Sequence, residues 1–109
     1  MQLAPFPFQI TDWNLIEAIE HQGITGFARW KTIWVNDIRI RKVDYSADYM
    51  ADHWCEKGHI IFCISGEMTT ELSDGRKMNL TAGMSYQVGD GSNAHRSFSK
   101  TGCCLFIVD

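Results

Sequence analysis

Residues 51–66 read Ala51-Asp52-His53-Trp54-Cys55-Glu56-Lys57-Gly58-His59-Ile60-Ile61-Phe62-Cys63-Ile64-Ser65-Gly66. His53 and Cys55 are two apart, so on an extended strand both point to the same face. Lys57-Gly58 marks a turn. His59 keeps the parity of the first pair beyond it, and a hairpin there lays it beside them. The run from Ile60 to Ile64 is apolar on both faces, the pattern of a strand covered on both sides. One face can line the inside of a barrel. The other, with Ile60, Phe62 and Ile64, needs cover from the N-terminal segment or from a second copy of the chain, and a homodimer is the expected assembly.

The pattern extends outward from this stretch. On its N-terminal side, Phe27 to Val35 is rich in aromatic and β-branched residues. Asn36-Asp37 is a turn, and Ile38 to Ser46 alternates apolar with polar. Ala51 to Cys55 is expected as a short strand. On the C-terminal side, His59 to Ile64 turns at Ser65-Gly66. Glu67 to Leu72 and Lys77 to Leu80 flank the hairpin signal Ser73-Asp74-Gly75-Arg76. Ser85 to Val88, His95 to Ser99 and Cys103 to Val108 complete the set. Pro5 and Pro7 mark an extended opening, and Thr11 or Asp12 caps a short helix expected to run to about Glu20. This is an all-β chain with one short N-terminal helix, a jelly-roll or a small barrel.

Composition narrows the function. At 109 residues there is room for one domain, residues 1–109, with its own core. The net charge of −3 speaks against a general affinity for nucleic acid, which needs a basic patch. Arg39, Arg41 and Lys42 come nearest to one, but Arg39 and Arg41 alternate with Ile38 and Ile40 and read as the solvated face of a strand. No stretch suits a signal peptide or a membrane span, so a cytoplasmic protein without membrane contact is expected. In that compartment the cysteines stay reduced. Cys103 and Cys104 lie in an apolar run and read as small buried hydrophobes.

The chemistry-bearing residues are His53, Cys55 and His59, joined by His95 from a later strand after the loop Gly89-Asp90-Gly91-Ser92-Asn93. In a closed barrel all four can meet inside. Three imidazoles and a thiolate suit one divalent transition metal. Tyr49, Tyr86 and Gln87 flank these positions and could orient a ligand. Cys63 shares the parity of His59 but reads as core, whereas Asp52, Trp54 and Glu56 face away. A carboxylate behind the histidines is expected, although no residue can be named for it.

In these positions the chain resembles the cupins. Their first motif has two histidines two apart, then a glutamate four on and a glycine seven further. Here those places hold His53, Cys55, His59 and Gly66, with Ala47 in place of the leading glycine. The second motif appears as Gly83, Gly89, Gly91 and His95, without its proline, and Ser99 replaces its asparagine. The stretch Asp52-His53-Trp54-Cys55 resembles more closely the small bacterial cupins of the DHCW-motif group, as do Lys57 to Ile60, Ala82 to Val88 and Leu105 to Asp109. The likeness is most specific over residues 49–109. It implies a single-domain cupin jelly-roll β-barrel and a bound metal, but no reaction.

Cys55 in place of a histidine, with no glutamate, makes the site softer. That favours zinc, with iron, nickel or copper as alternatives. Two functions follow. One is a metal-dependent enzyme acting on a small polar molecule, and the other a non-catalytic metal-containing binding module or sensor. No acid–base pair, and hence no catalytic residue, stands out.

Overall fold

The computed structural model describes residues 2–109. After a single 3-10 turn at Trp13–Leu15 come nine strands. They are β1 (Ile19–Gln22), β2 (Phe27–Val35), β3 (Ile38–Tyr45), β4 (Tyr49–Met50), β5 (His59–Leu72), β6 (Lys77–Thr81), β7 (Ser85–Val88), β8 (His95–Ser99) and β9 (Cys103–Val108). Every ladder is antiparallel, in the order β1-β2-β3-β9-β5-β8-β4, with β6 and β7 also pairing with β5. The sheet curls on itself into the all-β jelly-roll that the strand pattern implies.

One strand ties the two walls together. The expected turn at Ser65-Gly66 does not form, and β5 runs through it for 14 residues. A register shift between Cys63 and Ser65 and a left-handed Gly66, at φ +76°, bend the strand there. A bulge of this kind re-aims a strand without ending it. The first half of β5 therefore pairs with β7 and β9, and the second half with β6 and β8. A Cβ on Gly66 would collide with the carbonyl oxygen of Gly102, so the crossing needs glycine for space as well as for its backbone angle.

The helix expected to run to about Glu20 contracts to Trp13–Leu15, where Asp12 accepts from the Asn14 backbone N–H at 3.0 Å. Residues Ile19–Gln22 instead add a strand to the edge of β2. A short isolated helix is marginal, whereas an open sheet edge offers a ladder of hydrogen bonds. His21 is consequently an exposed strand residue, its ring 4.0 Å from that of Trp30.

Residues of β3 and of the first half of β5 alternate between the inside and the outside of the barrel, whereas residues 68–70 and 103–105 are buried in succession. Val43, Ile61, Cys63, Met68, Leu105 and Ile107 form the buried core. Cys103 and Cys104 are also buried, and all four cysteines are free thiols. The parity of β3 is the reverse of the expected one. Arg41 is 5% exposed and faces the interior together with Arg39, while Ile38 and Ile40 face out. There they share an apolar groove with Leu3, Phe6 and Trp13 of the opening segment. Trp13 meets Phe106 edge-on at 5.9 Å, and Lys31 Nζ donates to the Trp13 carbonyl at 2.9 Å. Ile60, Phe62 and Ile64 remain 42–44% exposed. Among the described residues no helix is long and apolar enough to cross a membrane.

Candidate metal centre

Residues 51–58 form a loop where a strand was expected. Its backbone is satisfied from elsewhere. Cys55 N–H donates to the His95 carbonyl at 2.8 Å and His95 N–H returns the bond at 2.9 Å. Gly91 N–H donates to the Glu56 carbonyl at 2.8 Å, and Gly58 N–H donates to Asp90 Oδ1 at 2.6 Å. The loop therefore leans on the start of β8 and on the loop before it, not on a hairpin with β5. Cys55 is held opposite His95 by this isolated bridge. His59 is delivered separately, as the first residue of β5.

Cys55, His59 and His95 converge, with one ligand atom of each within 4.8 Å of the others. His95 is 2% exposed. His59 Nε2 and His95 Nε2 face each other at 2.8 Å. His53 is not in this trio. Without a strand, the two-residue spacing no longer fixes its direction. Its imidazole is 75% exposed and hydrogen-bonds Asp52 through Nδ1 at 2.6 Å, although the residue still borders the same cavity.

The environment of the trio suits a cation. His95 Nδ1 lies 2.7 Å from the Asn93 carbonyl, an acceptor, so Nδ1 carries the proton and Nε2 presents a lone pair. Burial, and then the nearby His59, hold the His95 pKa below the usual imidazole value, opposed by the Asn93 bond. With His95 Nε2 an acceptor, His59 must donate from Nε2 to make the 2.8 Å contact. Its Nδ1 is buried and without a hydrogen-bond partner among the described residues. Asp109 Oδ2 lies 3.7 Å from it, beyond hydrogen-bond distance. A cation held by Cys55, His59 and His95 would take the Nε2 lone pairs and leave the His59 proton on Nδ1, facing the carboxylate. Three of the expected donors thus fit a metal, and the orphaned Nδ1 is the sign of it.

Asp109 is the carboxylate that could not be named from the sequence. It lies just past β9, between β3 and β5 in the sheet, with its side chain 1% exposed. Arg39 grips it with Nε and Nη2, each at 2.9 Å, and Arg41 Nη2 adds a third bond at 3.0 Å. Burial alone would raise its pKa, but His59, Arg39 and Arg41 outweigh burial and hold it far below the usual carboxylate range. Arg39, Arg41 and Asp109 were missed because alternation tells two faces apart without saying which is inside.

The flanking residues divide between two cavities. Tyr49 lines the one of about 120 Å³ that also holds Arg41, Cys55, His59 and His95, and its ring stacks on Tyr45 at 4.2 Å. Tyr86 and Gln87 line a second, of about 200 Å³, on another side of His95. The Tyr86 hydroxyl is 3.1 Å from His59 Nε2. Burial is the main force pushing its pKa up to about 12, so it remains a neutral phenol near neutral pH. Trp54 is half exposed and stacks under Arg96, 4.7 Å from the ring centroid.

No protein-family model matches the sequence, and neither does any curated protein. Solved structures do match. An RmlC-like cupin from Shewanella frigidimarina superposes with a TM-score of 0.71 at 19% identity, over 94% of this chain and 89% of that one. Ectoine synthase from P. lautus gives 0.76 at 16% identity, over 93% and 76%. Fe(II)-HppE with an alternative substrate gives 0.75 at 12% identity, over 94% and 60%. The neighbours thus include enzymes, and one carries iron. With its curled antiparallel sheet and its Cys/His/His cluster inside, the chain folds as a small cupin.

Proposed function

We propose that the protein is a metal-dependent cupin, its ion held by Cys55, His59 and His95, acting on a small polar molecule. The observation that carries this reading is the pair of facing Nε2 atoms 2.8 Å apart beside the Cys55 thiol, with an orphaned Nδ1 behind one of them. Three protein donors leave a coordination position open, the usual arrangement of a catalytic site. Zinc suits one thiolate and two imidazoles best, with iron, nickel or copper as alternatives. Bound there, the ion would supply Lewis acidity, or redox chemistry if it is iron or copper. Asp109 would hold the His59 Nδ1 proton, and Asn93 fixes the tautomer of His95. The cavity of about 120 Å³ is well below the ~300–1,000 Å³ of sites for drug-sized ligands, which limits the substrate to a few heavy atoms.

A second reading is a metal-containing binding module or sensor without turnover. It is favoured by the same small cavity and by the absence of an unpaired carboxylate to serve as base beside the trio among the described residues. If His53 turned inward to close a four-ligand site, this reading would gain. A single cytoplasmic domain that dimerises through the face of Ile60, Phe62 and Ile64 is part of the proposal.

The test is elemental analysis of the untagged protein purified under reducing conditions. About one equivalent of metal per chain is expected, lost in Cys55→Ser and His95→Ala and retained in His53→Ala. Loss in His53→Ala as well would make the site four-liganded and favour the binding module. No metal in the parent after supplementation would refute the proposal.

A further inference from the structure

The metal centre leaves one stretch of its cavity wall unexplained. Arg39 and Arg41 both face inward, yet one carboxylate, Asp109, serves them both. Arg39 is satisfied by its two bonds to it. Arg41 is not. Its Nε–H has no partner among the described residues, although the residue is 5% exposed and lines the cavity. Arg96, a third cation on this wall, is matched by Glu71 at 2.8 Å. A positive charge is therefore left over at Arg41. Its guanidinium carbon lies 4.3 Å from the Trp30 ring centroid, and this stacking holds the group in place. A buried cation short of counter-charge is a costly arrangement, and an anion in the cavity would offset it.

We infer that the molecule entering this cavity carries a carboxylate, which the Arg41 guanidinium anchors while the rest of the molecule reaches the Cys55–His59–His95 centre. This rests on the metal-centre reading above and names the substrate class of that site. A guanidinium matches the planar, two-oxygen geometry of a carboxylate, and the cavity volume leaves room for little beyond it. Burial, and then the neighbouring Arg39, press the Arg41 pKa downward, as expected of a cation short of counter-charge. A neutral substrate would leave the charge unmatched.

The experiment is a calorimetric titration of chelator-treated protein with sodium acetate, with acetamide and inorganic phosphate in parallel and no carboxylate in the buffer. Tryptophan fluorescence, compared between the parent and Trp30→Phe, gives a second signal. Acetate is expected to bind and acetamide not. Arg41→Met should weaken acetate by about tenfold or more. Asp109→Asn, which removes the internal competitor, should tighten it. The inference is overturned if the parent ignores acetate, if acetamide binds equally, if phosphate binds and acetate does not, or if Arg41→Met binds as the parent does. Should Arg41→Met fail to fold, Asp109→Asn decides, because unchanged or weaker acetate binding there overturns the inference too. Metal content separates the two claims. Metal without acetate binding refutes the carboxylate class alone, and acetate binding in a chain that never takes up metal refutes the metal centre alone.

Discussion

Arg39, Arg41, His59 and Asp109 act as one electrostatic unit, and Asp109 is its hinge. The unfolded chain binds a proton on Asp109 more readily than the folded one does. Its contribution to stability is therefore complete above the ordinary carboxylate range, about pH 4, and is lost as pH falls through the lowered folded value. Asp109→Asn should cost about 3 kcal/mol at pH 7, because it strands two cations in the barrel. The gap to the parent should shrink in acid, as urea denaturation from pH 7 to pH 3 would measure. At this scale the sequence was informative about residue types and poor about direction. Cys55, His59 and His95 stood out by chemistry and spacing. Arg41 looked like a solvated residue because Ile38 and Ile40 beside it looked like core. Both faces of β3 are in fact covered, one by the barrel interior and the other in part by Leu3, Phe6 and Trp13.

Among the elements, β5 and the 51–58 loop decide where the site forms. β2, β7, β8 and β9 have the bounds that alternation and turn residues suggest. β5 does not, since Ser65-Gly66 has turn chemistry but is used as a bend within one strand. Glycine serves either purpose, and only tertiary pairing separates them. Likewise the His53-Trp54-Cys55 spacing implied a shared face only while a strand was assumed. Gly66→Ala should destabilise by about 2 kcal/mol or more, combining a left-handed backbone with the clash against Gly102. Gly75→Ala has a similar φ of +95° but open space around it, and should cost only about 1 kcal/mol. Thermal unfolding of the two variants side by side checks the difference. If they were equal, the collision at Gly102 would carry no weight.

Over the whole molecule, a barrel this small leaves part of its outer wall greasy. The opening segment covers the outside of β2, β3 and β9, but Ile60, Phe62 and Ile64 on β5 stay half exposed, a contiguous patch of the kind that marks an interface. In the proposed dimer, Phe62→Glu should therefore give a monomer in sedimentation equilibrium while leaving the metal content unchanged. An unaltered mass would place any interface elsewhere. The proposed metal would tie the molecule together in another way, since binding to the folded state alone stabilises it. Zinc at 100 times its Kd should add about 2.7 kcal/mol, seen as a higher melting temperature that a chelator reverses.

The position of β5 also bears on how the chain reaches this state. It pairs with four other strands, all of which follow it in the sequence, and β9, the central partner of both β3 and β5, comes after every other strand. The wall of β1, β2, β3 and β9 therefore cannot close early, whereas β4, β5, β6 and β8 can pair before β9 is made. During synthesis β2 and β3 can form their hairpin, but it must wait with an unpaired edge until β9 has left the ribosome. Folding dominated by such distant pairings falls in the millisecond-to-second range. For that interval the apolar run from Ile60 to Ile64 is a target for chaperones and for self-association.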